Sequence, residues 1–268
     1  MDISGIALIT GAASGIGRAC ALGLVRDALE KVTSEIQELQ RAWGYTKPCR
    51  VEIYPTNVAD ENRVIEVVEN VAQKFGRLDY VVIAAGIAMK HIGGEAFAET
   101  ADWQRILDGQ PQWHILYPTS CSQNHSLFAL RPLQRGSIVN ISSSQGLVGI
   151  TLSTAYKTSK HPMIGLTRTA SEDYADKGLR INAICPGYTE TPLTTKSPEI
   201  LKAMMERVST AVPMERMGRP EKIADGVLYF SGGRSSFVTG TVECGWWYYL
   251  KGKDNHHLLK AANPLAGV

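Results

Sequence analysis

Residues 6–17, IALITGAASGIG, hold the pattern that decides the fold class of this 268-residue chain. An apolar run of strand length leads into a loop with glycines at positions 11, 15 and 17, and a helical pattern begins at about Ile16. Glycines let a backbone turn tightly and approach a pyrophosphate, whose charge the free N–H groups at the start of the helix can meet. By itself, a three-glycine pattern is as typical of a strand-to-helix turn that binds no ligand as of a loop that binds a pyrophosphate.

The alternation of strand and helix continues beyond this loop. Further apolar segments of strand length are RVEIY, YVVIAA, SIVNIS and RINAI, and a second helical pattern begins at about Asp60. Short, nearly continuous apolar strands separated by helices predict a parallel sheet that is covered on both faces. We therefore predict an α/β, Rossmann-like, doubly wound parallel sheet in a single domain, residues 1–268, whose tail from about 243 to 268 is atypical.

Composition excludes several classes of function. The net charge is +2 and is spread over both signs without a basic run, which argues against a nucleic-acid or membrane partner. The five cysteines are far apart and form no CxxC pair, and the adjacent His256 and His257 have no further ligands near them, so no metal site is expected. Met1 leads directly into an apolar run without a signal sequence, and no segment has the length of a membrane span, so we expect a cytoplasmic protein.

A tyrosine and a lysine lie one helical turn apart in TLSTAYKTSK, residues 151–160. On a helix, the Tyr156 phenol and the Lys160 ammonium therefore share a face. The ammonium should lower the pKa of the phenol, which can then exchange a proton with a substrate oxygen while hydride moves to or from a nicotinamide. Ser143 follows the strand SIVNIS, where its hydroxyl can orient the same oxygen. Tyr156 and Lys160 alone are more typical of a surface pair, but together with the glycine loop they indicate a site.

These motifs, in this order, resemble the short-chain dehydrogenase/reductase family, in its form of roughly 250 residues. The resemblance runs from TGAASGIG through NISSSQG and YKTSK to ICPGYTETP and SFVTGT. It implies that Ser143 positions the substrate oxygen, that Tyr156 is the acid/base, and that Lys160 lowers the pKa of Tyr156 and binds the nicotinamide ribose. The implied function is an NAD(P)-dependent oxidoreductase that interconverts a secondary alcohol and a ketone on a small, partly apolar substrate.

The resemblance also implies a site for NAD or NADP, with no preference readable between them. The glycine loop would hold the pyrophosphate, residues 57–58 would contact the adenine, and residues 186–191 would line the nicotinamide side. A substrate lid is expected between Thr191 and Met217, and the family usually forms homodimers or homotetramers. The cofactor residues are Thr10, Gly11, Ser14, Gly15, Ile16, Gly17, Asn57, Val58, Ala85, Gly86, Tyr156, Lys160, Pro186, Gly187, Thr189 and Thr191.

Three segments depart from the family pattern. After about Asp27 the chain passes into ALEKVTSEIQELQ without the strand whose end normally selects NAD or NADP. A helical asparagine expected near Gln110 is missing from GQPQWHIL, and ECGWWYYL replaces a C-terminal Asp-Gly-Gly. These departures favour an alternative function: a non-catalytic or weakly active remnant of a short-chain dehydrogenase with impaired cofactor binding.

The last two departures share one hypothetical cause, a slip of the reading frame. Codons for residues 109–116, read one base later, are compatible with Val-Asn-Leu-Asn-Gly-Ile-Phe, which contains the family's asparagine. Codons for Trp-Trp-Tyr at 246–248, read one base later, must encode Gly-Gly, and the two preceding residues permit Ala-Asp. The nucleotide sequence tests this hypothesis, since codons whose next frame lacks these residues would contradict it.

Overall fold

The computed structural model describes residues 5–24, 52–88, 99–108, 136–149 and 153–244. Within these ranges strands and helices alternate along the chain. The strands are β1 (Ala7–Thr10), β2 (Tyr80–Ile83), β3 (Gly136–Ile141), β4 (Leu179–Cys185) and β5 (Val242–Cys244). The helices are α1 (Gly15–Leu24), α2 (Glu61–Phe75), α3 (Thr100–Asp108), α4 (Thr154–Ala175), α5 (Pro198–Ala211) and α6 (Pro220–Ser231).

The two helices that the sequence placed near the N-terminus begin within a residue of the predicted positions. The α1 helix starts at Gly15, directly after the glycine loop. The α2 helix starts after Asp60, whose carboxylate accepts a hydrogen bond from the Arg63 N–H at 3.1 Å and so caps the first turn. In the described ranges, no helix combines the length and the apolar content that crossing a membrane requires.

The five described strands form one sheet in the order β1-β2-β3-β4-β5, and every neighbouring pair is parallel. Because parallel strands point the same way, their carboxyl ends meet at one edge of the sheet. Four of the predicted strands are thereby confirmed. The three-residue β5 was not predicted from the apolar pattern, because it is short and has Glu243 at its centre.

The prediction of a strand at RVEIY is wrong for the part that the structure describes. Residues 52–57 have no regular secondary structure. A strand requires a ladder of hydrogen bonds with a neighbour, and a groove of about 270 Å³ runs between this segment and β1, the strand nearest to it among the described residues. The walls of the groove are residues 6–13, residues 52–56 with Val58, and the four valines and Phe75 of α2.

The sheet is covered on both faces, as predicted. On one face α1 and α6 pack against Val82, Val139 and Ile184. On the other face α2 and α4 pack against Val81, Ile138 and Ile181. Successive residues of β1, β2 and β3 therefore enter opposite cores, which explains why these strands read as continuous apolar runs rather than alternating ones.

The three departures from the family pattern lie largely outside the described residues. The segment without a strand falls in 25–51, the expected asparagine falls in 109–135, and the tail falls in 245–268. Of the atypical tail only Glu243 and Cys244 are described, and both belong to β5. The frame-slip hypothesis stays a prediction.

Candidate active site

The carboxyl edge of the sheet carries a cavity of about 510 Å³. The segments that follow β2, β3 and β4 all contribute to it, at residues 84–88, 142–145 and 186–194. Ile16, from the first turn of α1, closes the side next to the glycine loop. Parallel topology thus brings together residues that lie far apart in the sequence.

The glycine loop forms a narrow cradle at the start of α1. Gly11 and Gly15 have φ angles of +68° and +54°, which L side chains rarely adopt. A Cβ on Gly11 would lie 2.8 Å from the backbone of Ala85, and one on Gly17 would lie 2.4 Å from the carbonyl oxygen of Gly11. Both values are far below normal contact distance, so a side chain at either position would fill the cradle.

Hydrogen bonds to Thr10 hold the cradle against the chain that follows β2. The Thr10 Oγ1 accepts hydrogen bonds from the N–H groups of Ala84 and Ala85, each at 3.1 Å. Ser14 lies exposed just before α1, and the first N–H groups of that helix face the loop. A glycine-rich loop of small residues at a helix N-terminus fits the pyrophosphate of a dinucleotide.

Ser143, Tyr156 and Lys160 converge on the cavity. The Ser143 Oγ accepts a hydrogen bond from the N–H of Gln145 at 3.1 Å, and its side chain is hydrogen-bonded with Tyr156. The Lys160 ammonium lies 5.8 Å from the centre of the Tyr156 ring and donates to the carbonyl oxygen of Ile141 at 3.1 Å. The predicted shared face of Tyr156 and Lys160 on α4 is therefore present.

Burial sets the direction of both pKa shifts in this pair. It raises the pKa of Tyr156 above its ordinary value, against the opposing effect of the Ser143 hydrogen bond. It lowers the pKa of Lys160 to about 8. Burial of the phenolate dominates the pKa of Tyr156 in this structure, so the effect of Lys160 on that pKa stays a prediction. Tyr156 therefore stays protonated at neutral pH and is suited to donate a proton.

The chain matches a family model described as enoyl-(acyl carrier protein) reductase over residues 11–244. It is 34% identical over 248 residues to a 3-oxoacyl-[acyl-carrier-protein] reductase of Thermotoga maritima, covering 88% of this chain and 94% of that protein. The chain belongs to the short-chain dehydrogenase/reductase family. The family predicted from the motifs is thereby confirmed, and with it an NAD(P)-dependent oxidoreductase.

Two further comparisons agree with this membership. The chain is 33% identical over 241 residues to a cyclohexanol dehydrogenase of an Acinetobacter species, covering 88% of this chain and 91% of that protein. Among solved structures, the ligand-free aldohexose dehydrogenase of Thermoplasma acidophilum matches with a TM-score of 0.69 and 28% identity, covering 88% of this chain and 90% of that one. The Rossmann-like α/β fold is that of this family.

Most of the cofactor residues predicted for this short-chain dehydrogenase border the cavity or its cradle. Gly86, Pro186, Gly187, Thr189 and Thr191 line the cavity, together with Ile16, Tyr156 and Lys160. Ala85 lies against Gly11. Asn57 and Val58 do not line the cavity. Val58 lines the groove beside β1 together with residues 11–13 of the glycine loop. Asn57 is exposed, with its Oδ1 accepting a hydrogen bond from the Ala59 N–H at 3.2 Å. The predicted adenine contact stays a prediction.

Other residues that line the cavity were not among the predicted catalytic and cofactor residues. Leu193, Ile200 and Met204 form an apolar wall, and they come from the stretch in which the family resemblance places a substrate lid. Gln145 and Tyr188 add polar groups. Gln145 lies in NISSSQG, two residues after Ser143, and its position just beyond the end of β3 is the signal that could have indicated it.

In the portion of the chain that the structure describes, no group of three or more His, Cys, Asp and Glu side chains is arranged to hold a metal ion. His256 and His257 lie outside that portion.

Replacing Lys160 with Met tests the buried amine through the pH dependence of stability. Because the pKa is lowered from 10.5 to about 8 on folding, the unfolded chain binds more protons than the folded chain between these values. Stability supplied by this group is therefore present above pH 10.5 and lost as the pH falls through 8. From about pH 7 to about pH 9, the parent should gain roughly 1 kcal/mol of unfolding free energy relative to Lys160→Met.

Urea unfolding of both proteins at the two pH values measures this difference. Burial also raises the pKa of the Cys20 and Cys185 thiols to about 12, so these groups add their own pH dependence to stability. Both proteins contain them, and parent and variant are therefore compared at the same pH. An unchanged difference between parent and variant would show that Lys160 does not titrate in this range.

Proposed function

We propose that this short-chain dehydrogenase/reductase interconverts a secondary alcohol and a ketone on a small, partly apolar substrate, with NAD or NADP as the hydride carrier. The observation that carries the proposal is the convergence of Ser143, Tyr156 and Lys160 on one cavity beside the glycine cradle. The apolar wall of Leu193, Ile200 and Met204 suits the apolar part of such a substrate. The similarity to a cyclohexanol dehydrogenase supports the alcohol class.

The chain's own residues supply the proton chemistry. The bound nicotinamide supplies or accepts the hydride. In the reductive direction the Tyr156 hydroxyl, kept protonated by burial, donates its proton to the substrate oxygen as negative charge develops there. In the oxidative direction Tyr156 takes that proton back. The hydrogen-bonding groups around the Tyr156 hydroxyl determine how well this proton transfer is oriented.

Ser143 and Lys160 act on either side of the tyrosine. The Ser143 Oγ already accepts a hydrogen bond from the Gln145 N–H, so its own proton is directed elsewhere, towards Tyr156 and the substrate oxygen. Lys160 lies one helical turn from Tyr156, and its ammonium is oriented by the hydrogen bond that it donates to the Ile141 carbonyl oxygen. We assign to Lys160 the nicotinamide ribose and to Ser143 the orientation of the reacting oxygen.

The second candidate function is a remnant that binds the cofactor weakly. It is favoured by the groove beside β1, which reaches from Gly11–Ala13 to Val58 and is walled largely by apolar side chains. The adenosine half of a dinucleotide needs polar partners for its ribose hydroxyls. A shortage of such polar partners would weaken the binding of NAD and of NADP alike.

One experiment separates the two candidates. Purified protein is heated with NADH or with NADPH. Reduction of cyclohexanone by these dinucleotides and oxidation of cyclohexanol by NAD⁺ or NADP⁺ are followed through the absorbance of the reduced nicotinamide. The proposal expects a dinucleotide at about 100 times its Kd to stabilise the fold by about 2.7 kcal/mol, together with turnover. A cooperatively folded chain that neither dinucleotide stabilises and that turns over neither substrate would establish the remnant.

A further inference from the structure

Two cysteines lie side by side at the carboxyl edge of the sheet. Cys185 is the last residue of β4 and Cys244 is the last residue of β5, and the register of these parallel strands pairs the two directly. Neighbouring strands lie about 4.7–4.9 Å apart, and paired residues project their side chains to the same face. The Cα atoms that a disulfide joins are usually about 4.4–6.8 Å apart. The backbone therefore places Cys185 and Cys244, both free thiols in this structure, within reach of a disulfide.

The two thiols interact, and they differ in their access to solvent. Burial, and after it the neighbouring Cys244, raises the pKa of the Cys185 thiol to about 12, an effect that requires the two sulfurs to be close. Partial burial of its sulfur raises the pKa of Cys244 as well. Cys185 is only 1% exposed, whereas Cys244 is exposed at the end of β5. An oxidant in solution therefore meets Cys244 first.

The Cys185 sulfur also helps to hold the turn that carries Ser143. It is hydrogen-bonded with the Ser142 side chain and accepts a hydrogen bond from the Ser143 backbone N–H. The two residues that follow it, 186–187, line the cavity. Turning the sulfur towards Cys244 would weaken both hydrogen bonds, so the turn that positions the Ser143 hydroxyl would shift. A disulfide at this edge of the sheet would therefore disturb the site.

The third described cysteine cannot take part in this pairing. Cys20 lies in the core that α1 and α6 form on one face of the sheet. Cys185 faces the other side, because side chains alternate along a strand and Cys185 follows Ile181 by an even number of residues. The sheet itself separates Cys20 from Cys185. Among the described residues, oxidation is therefore directed to Cys185 and Cys244.

We infer that Cys185 and Cys244 form an oxidation site that controls the active site: a peroxide converts the two thiols into a disulfide, which lowers activity, and a dithiol restores them. The effect on activity rests on the proposed function, because it concerns the same cavity. Formation of the disulfide does not depend on that function. Because Cys244 is exposed, the disulfide is accessible to a dithiol and can be reversed.

The oxidation balances with hydrogen peroxide as the oxidant. The Cys244 sulfur attacks the peroxide and becomes a sulfenic acid, and the other peroxide oxygen leaves as water. The Cys185 sulfur then displaces the hydroxyl group from the Cys244 sulfur, and the thiol proton leaves with that hydroxyl as a second water. One S–S bond forms, two S–H bonds break, and the peroxide takes up the two electrons.

The test treats the folded parent and Cys244→Ser with hydrogen peroxide at about pH 9, where thiolates are more populated than at neutral pH. After removal of the peroxide, free thiols are alkylated, peptides are identified by mass spectrometry, and activity is assayed at neutral pH. The parent should yield a peptide that links Cys185 to Cys244. Its kcat/KM for cyclohexanone with NADH or NADPH should fall by about 10- to 100-fold, since a displacement of about 1 Å can cost about 100-fold. Dithiothreitol should restore both thiols and the activity.

Cys244→Ser removes the exposed thiol with little change in size, so it should form no such link and keep its activity after peroxide treatment. A variant with both Cys49→Ser and Cys121→Ser is the matched control. It retains Cys185 and Cys244, and it should respond like the parent. Recovery with dithiothreitol distinguishes the disulfide from oxidised methionine, whose sulfoxide needs its own reductases.

A folded parent that forms no link between Cys185 and Cys244 would overturn the inference. A link that leaves kcat/KM unchanged would also overturn it, since the pair would then not control the site. The same loss of activity in the parent and in Cys244→Ser would show that peroxide acts elsewhere, and the proposed function would stand without the inference. A link in a parent that turns over neither cyclohexanone nor cyclohexanol, even when reduced, would leave the oxidation site standing and contradict the proposed function.

Discussion

Tyr156→Phe should lower kcat by about 10²–10⁴-fold, which is the usual contribution of a positioned acid/base group. The substitution removes only the hydroxyl that exchanges a proton with the substrate. The ring remains next to Lys160, and the glycine cradle is unaffected. Affinity for the dinucleotide should therefore stay nearly constant, and kcat and kcat/KM should fall together. Steady-state kinetics and a titration with the dinucleotide measure the two quantities.

Tyr174→Phe is the control for this substitution. Tyr174 lies on the same helix, α4, and packs against the core on one face of the sheet, away from the cavity. Its replacement should leave kcat within about threefold of the parent, since it touches no reacting group. Residual activity of Tyr156→Phe within tenfold of the parent would remove Tyr156 from the acid/base role.

The elements that the sequence predicted correctly are those whose pattern reflects burial on both faces. Ile138 and Val139 are both completely buried, in opposite cores, so the run SIVNIS reads as a central parallel strand. RVEIY has a similar composition, but a strand also depends on a partner for its backbone. Residues 52–57 lie across a groove from β1, and composition alone does not show this.

For the candidate site, spacing predicted the positions of side chains but not their electrostatics. Tyr156 and Lys160 share a helical face because four residues make about one turn. The direction of the Tyr156 pKa depends on how deeply three loops and α4 bury the phenol, which is a tertiary property. The same holds for Gln145, since nothing in NISSSQG shows that its side-chain oxygen is buried.

The consequence of the raised Tyr156 pKa is a bias in the chemistry of the free enzyme. A protonated phenol can donate a proton to the substrate oxygen, whereas oxidation of an alcohol needs the phenolate as the base. Lys160, with a pKa of about 8, has already lost its charge below the pH range in which the Tyr156 phenolate forms, because the pKa of Tyr156 is raised from 10.0. At neutral pH the free enzyme therefore holds the Tyr156 phenol in the form that can donate a proton.

Gly17→Ala should weaken dinucleotide binding at least tenfold and lower the free energy of unfolding by about 1–3 kcal/mol, the usual effect of overpacking a close contact. The added Cβ would lie 2.4 Å from the Gly11 carbonyl oxygen and 2.7 Å from its carbonyl carbon. Both atoms belong to the backbone, so no side-chain rotation relieves the contact. The loop must move away from α1, and the cradle that fits a pyrophosphate opens.

Gly23→Ala makes the same chemical change on the same helix without that contact. Its Cβ would meet the Leu228 side chain at 3.4 Å, an ordinary packing distance. Alanine favours a helix over glycine by up to about 1 kcal/mol, so this variant should be as stable as the parent or more stable, with unchanged affinity. Thermal unfolding with and without NADH and NADPH measures both effects. Equal dinucleotide affinity in the two variants would show that contact between Gly17 and Gly11 does not shape the binding site, and the glycine loop would have to be read as a structural turn.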